Sequence, residues 1–265
     1  MQVFNPNNNT DVFCVYRVDP DTGLPQSSHT TADVSLLNVP GVLPYSFSGV
    51  RARVTTAAAT PDVVQPVPTV LAPFAGVVMS VASDNAADTD AVLRISALGP
   101  RGVALAPIEV QLTGTTPIQL GTLSRINSIS RTGGDILGNV RITNGADVYG
   151  FMEPGAQIQR SATFTVPAGY RIMIADIIAA MTKAGGKDST CLFELRAKPM
   201  ASSGFGSVID ISACRAGNSQ VSIKQTFGTS SVGPIDLRMV AVADAAGTDV
   251  QAYVSGMLVN TAVHP

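Results

Sequence analysis

The sequence predicts an all-β protein, an antiparallel β-sandwich of a jelly-roll-like kind. Apolar and polar residues alternate along most segments, which is the pattern of strands with one buried face. Turn signals recur roughly every 8 to 14 residues, the spacing that is typical of sandwiches and barrels. Hydrophobic residues make up 45% of the 265 positions, which is enough for a sizeable core.

The N-terminal part is predicted to hold an arm, a small β region and a linker. Residues 1–11 are polar and rich in Asn, and we expect an extended arm that is ordered by contacts with another protein. The β region covers 12–73 and closes with a linker over 63–73, because the prolines there lack the N–H donor that a central strand needs. Strands are predicted over 12–18, 33–39 and 49–56, and a loop over 20–31.

Residues 74–265 are predicted to form a β-sandwich region with two lobes, 74–143 and 144–265. The dipeptide Asn144-Gly145 is the strongest short hairpin signal in the chain. Because side chains alternate along a strand, the alternating segments also predict which residues point into the core. The predicted inward residues are Leu93, Ile95, Ala97, Val110, Leu112, Ile118 and Leu120, with turns at Gly114 and Pro117.

One segment, 170–187, fits two patterns. Its first part alternates as a strand does, while four of its apolar residues follow the i, i+3, i+4, i+7 spacing of a helix. We predict a strand over 170–177. The residues with helical spacing are Ile174, Ile177, Ile178 and Met181.

Charge is sparse and evenly scattered. Charged residues make up 14% of the chain, against roughly 25% in typical soluble domains, and the net charge is −2. This composition fits a subunit packed into an assembly, and it equally fits an ordinary Thr-rich β-protein. Without a cluster of Lys and Arg we expect no nucleic-acid partner, and without a long apolar run we expect no membrane span. The N-terminus also lacks the pattern of a secretory signal.

Two motifs resemble catalytic or binding sequences. The tripeptide Asp21-Thr22-Gly23 occurs in aspartic proteases, which need a second carboxylate nearby; Asp and Gly also dominate turns, and we predict a turn. The stretch GGKDST over 185–190 resembles a phosphate-binding loop. It lacks the first glycine of that motif, and a Ser or Thr does not follow its lysine, so we reject this interpretation.

The remaining polar candidates are few. The carboxylates in DNAADTD lack the spacing, central glycine and distal Glu of a calcium loop, so a solvated turn is predicted. Glutamate pairs serve glycosidases, but the glutamates here are expected on outward strand positions or in a turn. The chain is therefore predicted not to be an enzyme, with no catalytic, cofactor-binding or metal-binding residues. The residues considered are Asp84, Asp88, Asp90, Glu109, Glu153, Glu194, His29 and His264.

Cysteine usage points to a reducing compartment. The three cysteines are Cys14, Cys191 and Cys214. They are widely spaced and odd in number, which matches neither a disulfide framework nor a zinc pattern. We therefore expect the chain to fold in a cytoplasm.

The order of several short motifs resembles that of virion structural proteins of marine tailed phages. The resemblance covers roughly residues 90–259, and each motif alone carries little information. It implies a particle component such as a capsid decoration protein or a head fibre, and it carries over no catalytic residues. The matching stretches are LRISALGPRG, IEVQLTGTTPIQL, LSRINSI, the segment 144–174, FELRAKP and the segment 236–259.

The sequence and the resemblance together predict a phage virion structural protein, most simply a multi-copy capsid decoration or cement protein or a fibre-type subunit. Its expected partners are further copies of itself, as a homo-oligomer, and other capsid or virion proteins, and no cofactor is expected. It would be assembled in the host cytoplasm and reside in the virion. Two alternatives stay open: a jelly-roll capsid shell protein, and a carbohydrate-binding receptor module of a phage tail or spike.

Overall fold

The structure, a computed structural model, describes residues 39–182, 190–202 and 232–263 with their side chains. For 2–4, 14–18, 25–29, 183, 207–215, 220–224 and 231 it describes the backbone of strands. Within these residues every strand pairing is antiparallel, and the helical content is one short turn at Pro100–Gly102. The all-β prediction is confirmed.

The strands are numbered in chain order. The N-terminal group is β1 (Gln2–Phe4), β2 (Cys14–Val18) and β3 (Pro25–His29), followed by β4 (Val42–Arg51) and β5 (Asp62–Val63). The middle group is β6 (Val77–Ser83), β7 (Val92–Leu98), β8 (Ile108–Gln111), β9 (Ile118–Leu123), β10 (Arg125–Gly133), β11 (Val140–Asn144) and β12 (Asp147–Met152). The last group is β13 (Thr163–Val166), β14 (Tyr170–Lys183), β15 (Thr190–Pro199), β16 (Ser207–Arg215), β17 (Gln220–Lys224), β18 (Ser231–Val232), β19 (Ile235–Ala243) and β20 (Thr248–Asn260).

Eight of these strands form a sandwich with nested pairing. One sheet has the order β17-β14-β20-β4 and the other the order β13-β19-β15-β16. Taken in chain order, the first strand pairs with the eighth (β4 with β20), the second with the seventh (β13 with β19), the third with the sixth (β14 with β17) and the fourth with the fifth (β15 with β16). This nesting is the jelly roll, and we call these eight strands the jelly-roll sandwich.

The core of the jelly-roll sandwich follows from alternation along its strands. Along β15, for example, Cys191, Phe193, Leu195 and Ala197 face inward and are buried. The inward residues of β14, β19 and β20 meet them from the facing sheet and from the neighbouring strand. Together these side chains make one contiguous apolar cluster, so the strands are held by packing as well as by their hydrogen bonds.

A second sandwich is inserted between β4 and β13, the first two strands of the jelly roll. It consists of β6 to β12, in sheets of order β12-β11-β6-β9 and β10-β7-β8, and we call it the inserted sandwich. Its core is a separate apolar cluster. The predicted inward residues all lie in or against this cluster: Leu93, Ile95, Ala97 and Leu112 are buried, and Val110, Ile118 and Leu120 are partly buried.

The predicted hairpin forms at β11 and β12, with its turn one residue later than the motif suggests. Asn144 pairs with Asp147, so the two loop residues are Gly145 and Ala146. Gly145 has a φ of 59°, which suits the first central position of a type II′ turn. The hairpin spans the predicted boundary between lobes 74–143 and 144–265.

Strands of the predicted N-terminal region 12–73 pair with strands of the predicted region 74–265. Strand β4 pairs with β20 along its whole length, and β5 pairs with β19. Both strands are thus parts of the sheets that the C-terminal half builds. The reason is the nested topology, in which the first strand of the jelly roll meets the last.

Of two further strand predictions, one is confirmed and the other is shifted along the chain. The segment 170–187 begins with a strand that runs to Lys183, which confirms the strand prediction over the helical pattern. The strand predicted over 49–56 instead spans Val42–Arg51, and 52–57 is irregular. Aromatic and apolar residues at 45 and 47 face the core, and this packing sets the strand.

The N-terminal strands form a small sheet of their own, in the order β1-β2-β3. Gln2–Phe4 of the predicted arm pairs with Cys14–Val18, so the start of the segment 1–11 folds back on the chain. The rest of that arm, most of the loop 20–31 and most of the strand 33–39 lie outside the described residues.

Strand β4 is an edge strand, and it contains Pro44. Proline fits there because it has no N–H group, and its nitrogen can face the unpaired side of an edge strand. The next residues along this edge, Tyr45 and Phe47, stack with Phe164 of β13 at ring-centre distances of 5.1 and 5.6 Å. These aromatic contacts tie the two sheets together at one end of the jelly-roll sandwich.

Gly49 of β4 marks a close backbone approach. A Cβ atom at this position would lie 1.9 Å from the carbonyl oxygen of Val64 and 2.4 Å from the nitrogen of Ala162. Those two groups are hydrogen bonded to each other at 3.0 Å, so they cannot move apart without losing that bond. Only glycine therefore lets β4 pass beneath the entry and exit segments of the inserted sandwich.

We expect Gly49→Ala to lower the free energy of unfolding by about 3 kcal/mol or more, the upper end for overpacking, because backbone atoms would have to shift. Chemical denaturation followed by circular dichroism measures this. Gly133→Ala is the matched control, since its Cβ would meet only Val92 side-chain atoms at 3.6 and 3.7 Å. Equal losses for the two variants would contradict the close approach.

Candidate functional site

The junction between the two sandwiches holds a buried ionic contact. Arg125 at the start of β10 reaches Asp236 near the start of β19. The guanidinium donates from Nε to Oδ1 at 2.7 Å and from Nη2 to Oδ2 at 2.8 Å, which is the bidentate geometry of a strong pair. Arg125 is 4% exposed and Asp236 is 1% exposed, so water screens this pair very little.

Further donors surround the same carboxylate. The hydroxyl of Thr165 donates to Oδ1 at 2.7 Å, and the ammonium of Lys198 lies 3.7 Å from Oδ2. Lys198 also donates to the carbonyl of Ser202 at 2.8 Å. Three side chains, Arg125, Thr165 and Lys198, therefore converge on Asp236. Its oxygens are committed to the protein and are in no position to act as a base on a substrate.

The remaining donor of Arg125 faces the backbone. Its Nη1 donates to the carbonyl oxygens of Ala72 and Ser124. Ala72 belongs to the Pro-rich segment that was predicted as a linker, so the guanidinium joins that segment, the inserted sandwich and the jelly-roll sandwich. The contact is a three-way structural tie.

An amide pair extends the junction along β10 and β13. Asn127 Nδ2 donates to the carbonyl of Thr165 at 2.9 Å, and Thr165 N donates to Asn127 Oδ1 at 2.8 Å. The side-chain amide of Asn127 thus makes the two hydrogen bonds to the backbone of Thr165 that a neighbouring strand would otherwise make. It satisfies the backbone of β13 where a sheet would otherwise end.

The Pro-rich segment 63–73 crosses the junction and is fixed at several points. The buried Gln65 accepts hydrogen bonds at Oε1 from Thr69 Oγ1 and Ser161 Oγ. Val70 N donates to the carbonyl of Val148 on β12. The predicted extended segment is therefore ordered by side-chain and edge-strand contacts, and it covers the ionic contact from one side.

Beneath this segment lies a cavity of about 40 Å³, lined by Arg125, Asp236, Tyr149, Phe164 and Arg238 among others. That volume is close to the share of one water molecule in liquid water. This cavity has no room for an organic substrate.

A shallower groove of about 340 Å³ opens on another side of the junction. It is lined by residues of both sandwiches, and none of its lining side chains is charged. Tyr45 contributes to it, and burial raises the pKa of its phenol well above the usual value. The apolar lining includes Leu43, Leu98, Leu105, Pro167, Tyr170 and Leu258.

The predicted solvated turn DNAADTD is partly buried. The carboxylate of Asp88 is fully buried and accepts hydrogen bonds from Ser83 Oγ, Leu137 N and Gly138 N at 2.5, 2.8 and 3.0 Å. Burial acts to raise the pKa of Asp88, but these hydrogen bonds outweigh it and hold the pKa below its usual value. Asp88 organises two loops, which corrects the predicted solvated position.

Its neighbours in the same loop behave differently. Asp84 accepts from Asn139 and Arg141, and the Asn139 hydrogen bonds lead in lowering its pKa. Asp90 is exposed. In the described part of the chain, His, Cys, Asp and Glu side chains form no group of three that could hold a metal ion.

The other candidates do not converge. Glu109 is exposed on β8, Glu194 is paired with Arg196 on the same strand, and Glu153 lies 3.8 Å from Arg160. Asp21-Thr22-Gly23, His264 and nearly all of 185–190 lie outside the described residues, and for His29 only the backbone in β3 is described. Among the described glutamates, then, each serves a local contact or faces solvent.

The junction residues escaped the sequence analysis. Arg125 and Asp236 are far apart in the chain and carry no motif, and each looked like one more polar residue on an alternating strand. A weak signal existed at Asp236, since this charge lies near the start of a largely apolar strand. Within the residues that the structure describes, no helix has the length and apolar character of a membrane span.

Comparisons with known proteins add little. No protein-family model and no curated protein matches the chain. Among solved structures, a match is found to the crystal structure of the infectious bursal disease virus VP2 subviral particle, with 11% identity over 82% of this chain and 72% of that chain. The TM-score is 0.19, so the match does not establish a shared fold.

We expect Asp236→Ala to lower the free energy of unfolding by about 3–5 kcal/mol, because it leaves Arg125 and Lys198 buried without a counter-charge. Arg125→Met should cost less, since Asp236 keeps Thr165 and Lys198. Urea denaturation of each variant measures the loss. Glu153→Gln, at an exposed pair, is the control and should cost under about 1 kcal/mol. A small loss for Asp236→Ala would refute the structural tie.

The lowered pKa of Asp88 predicts a pH-dependent contribution. A carboxyl of this kind stabilises the fold above its unfolded pKa of about 4 and loses that effect as pH falls through the folded value. Asp88→Asn should therefore lower the melting temperature at neutral pH, and the gap to the natural protein should shrink below about pH 4. Thermal scans across pH measure this, with Asp90→Asn as control. A gap independent of pH would contradict the assignment.

Proposed function

We propose that this chain is a structural subunit of a virus particle, present in many copies and acting by packing against other particle proteins. The observation that carries the proposal is the nested pairing of the eight jelly-roll strands, an architecture that recurs in viral capsid proteins. The motif order that resembles virion proteins of marine tailed phages supports the same function.

The low charge content of the chain is compatible with this function, as it is with an ordinary Thr-rich β-protein. Only 14% of residues are charged, and charge is depleted at the cores of protein interfaces. The junction side of the molecule adds a groove of uncharged residues that spans both sandwiches. A subunit surrounded by neighbours needs fewer surface charges than a protein that stays separate in solution.

Within a virus particle, the subunit could decorate the shell, form a fibre or build the shell itself. The resemblance favours a decoration or fibre-type subunit in a homo-oligomer, bound to other capsid proteins. The jelly-roll topology favours the alternative, a shell protein with the inserted sandwich as an added unit. Jelly rolls also occur in lectins, but the chain has no Trp and five Tyr, which is poor material for stacking against sugars.

Copy number tests the proposal. Particles purified from an infected culture should contain the protein in tens to hundreds of copies, as a closed symmetric assembly requires, when measured on a quantitative gel against a known shell protein. A few copies at one vertex would point to the receptor module instead. Absence from purified particles would overturn the proposal.

Assembly of the purified chain separates the two structural roles. A shell protein is expected to form closed particles by itself, visible by negative-stain electron microscopy. A decoration subunit is expected to remain a small oligomer in sedimentation and to bind only to preformed heads.

A further inference from the structure

Two of the three cysteines are direct neighbours across a hairpin. Strands β15 and β16 are antiparallel, and in their register Cys191 is the partner of Cys214. Residues that face each other in an antiparallel pair lie on the same face of the sheet, with Cα atoms about 4.5–5.5 Å apart. Disulfides span Cα distances of about 4.4–6.8 Å, so the register places these two positions within bonding range.

The sequence alone hides this pair. The cysteines look unrelated along the chain, and with Cys14 their number is odd. Cys14 pairs in the N-terminal sheet with Phe4, so its register partner is not a cysteine. Only the hairpin of β15 and β16 brings two cysteines to partner positions among the described strand pairs.

We propose that Cys191 and Cys214 form a redox-controlled cross-strand disulfide. With a small-molecule disulfide such as oxidised glutathione as the oxidant, one thiolate attacks a glutathione sulfur and releases one reduced glutathione. The second cysteine sulfur then attacks the protein–glutathione disulfide and releases the other. The protein loses two hydrogens and two electrons, and one oxidised glutathione becomes two reduced molecules.

The oxidant can reach the two cysteines when the edge of the sheet opens locally. Cys191 is fully buried in the jelly-roll core, so a rigid structure would react slowly. Among the strands that the structure describes, β16 is the edge of its sheet and pairs with β15 alone. Edge strands open locally at a lower free energy than central strands, and such opening exposes both partner positions. Once formed, the bond would hold β16 to β15 and limit further opening.

The bond would matter most when the protein leaves a reducing compartment. It closes the loop between the two strands in the unfolded chain and so favours the folded state. This proposal does not rest on the proposed particle function, because it concerns the hairpin of a single chain.

Peptide mapping tests the proposal on the full-length protein. Cleavage by trypsin after Lys187, Arg196 and Arg215 puts Cys191 and Cys214 on separate peptides. The protein is equilibrated in buffers of increasing oxidised-to-reduced glutathione ratio, alkylated, digested without reductant and analysed by mass spectrometry. We expect the linked pair of peptides to appear at high ratio and to vanish on reduction, and the melting temperature to rise in parallel.

Matched variants identify the bond. Cys14→Ser should form the linked peptides as the natural protein does, whereas Cys214→Ser should abolish both the linkage and the oxidant-dependent rise in melting temperature. The mapping of the natural protein needs no variant, so a variant that fails to fold does not block the test. Absence of the linked peptides at every ratio, or linkage of either cysteine to Cys14 instead, would overturn the proposal.

Discussion

The bidentate contact between Arg125 and Asp236 is the interaction that fixes one sandwich on the other. Among the residues described with side chains, each sandwich has its own apolar core, and the two clusters are separate. The junction therefore depends on polar groups whose geometry is specific. Taking two charges out of water is costly, and the cost is offset only because Thr165, Lys198 and two backbone carbonyls complete the coordination. An apolar contact of the same size would hold the sandwiches together without fixing their orientation so narrowly.

This tie also explains why the Pro-rich segment is ordered. A chain that leaves the jelly roll after β5 and enters the inserted sandwich at β6 must cross the junction, and its prolines deny it a place inside a sheet. The segment instead supplies the Ala72 carbonyl to Arg125, while Gln65 receives hydrogen bonds from its surroundings. Glycine at position 49 clears the space beneath it. The path of this segment across the junction thus depends on its prolines, on the glycine at position 49 and on the buried charge of Arg125.

Local structure was largely predictable, and long-range structure was not. Alternation identified β7 and its inward face because side chains on a strand must alternate, and the same rule found the start of β14. The partner of β4 could not be found this way, since nothing local shows that a strand near residue 45 pairs with one near residue 255. The same limit hid the junction and the neighbouring cysteines. Asp88 shows a further limit, because a loop carboxylate looks identical in sequence whether it meets water or backbone amides.

Pro44 in strand β4 has a consequence for how copies of the chain can meet. An exposed edge strand normally invites another strand to extend the sheet, and repetition of that contact produces fibrils. Proline interrupts the row of N–H donors on this edge, so a strand added along it would lose a hydrogen bond near the start of β4. If two copies met at this edge, their contact would run mainly through side chains, whose shapes permit only particular angles. Such angular restriction is what separates a shell that closes on itself from a polymer that grows without end.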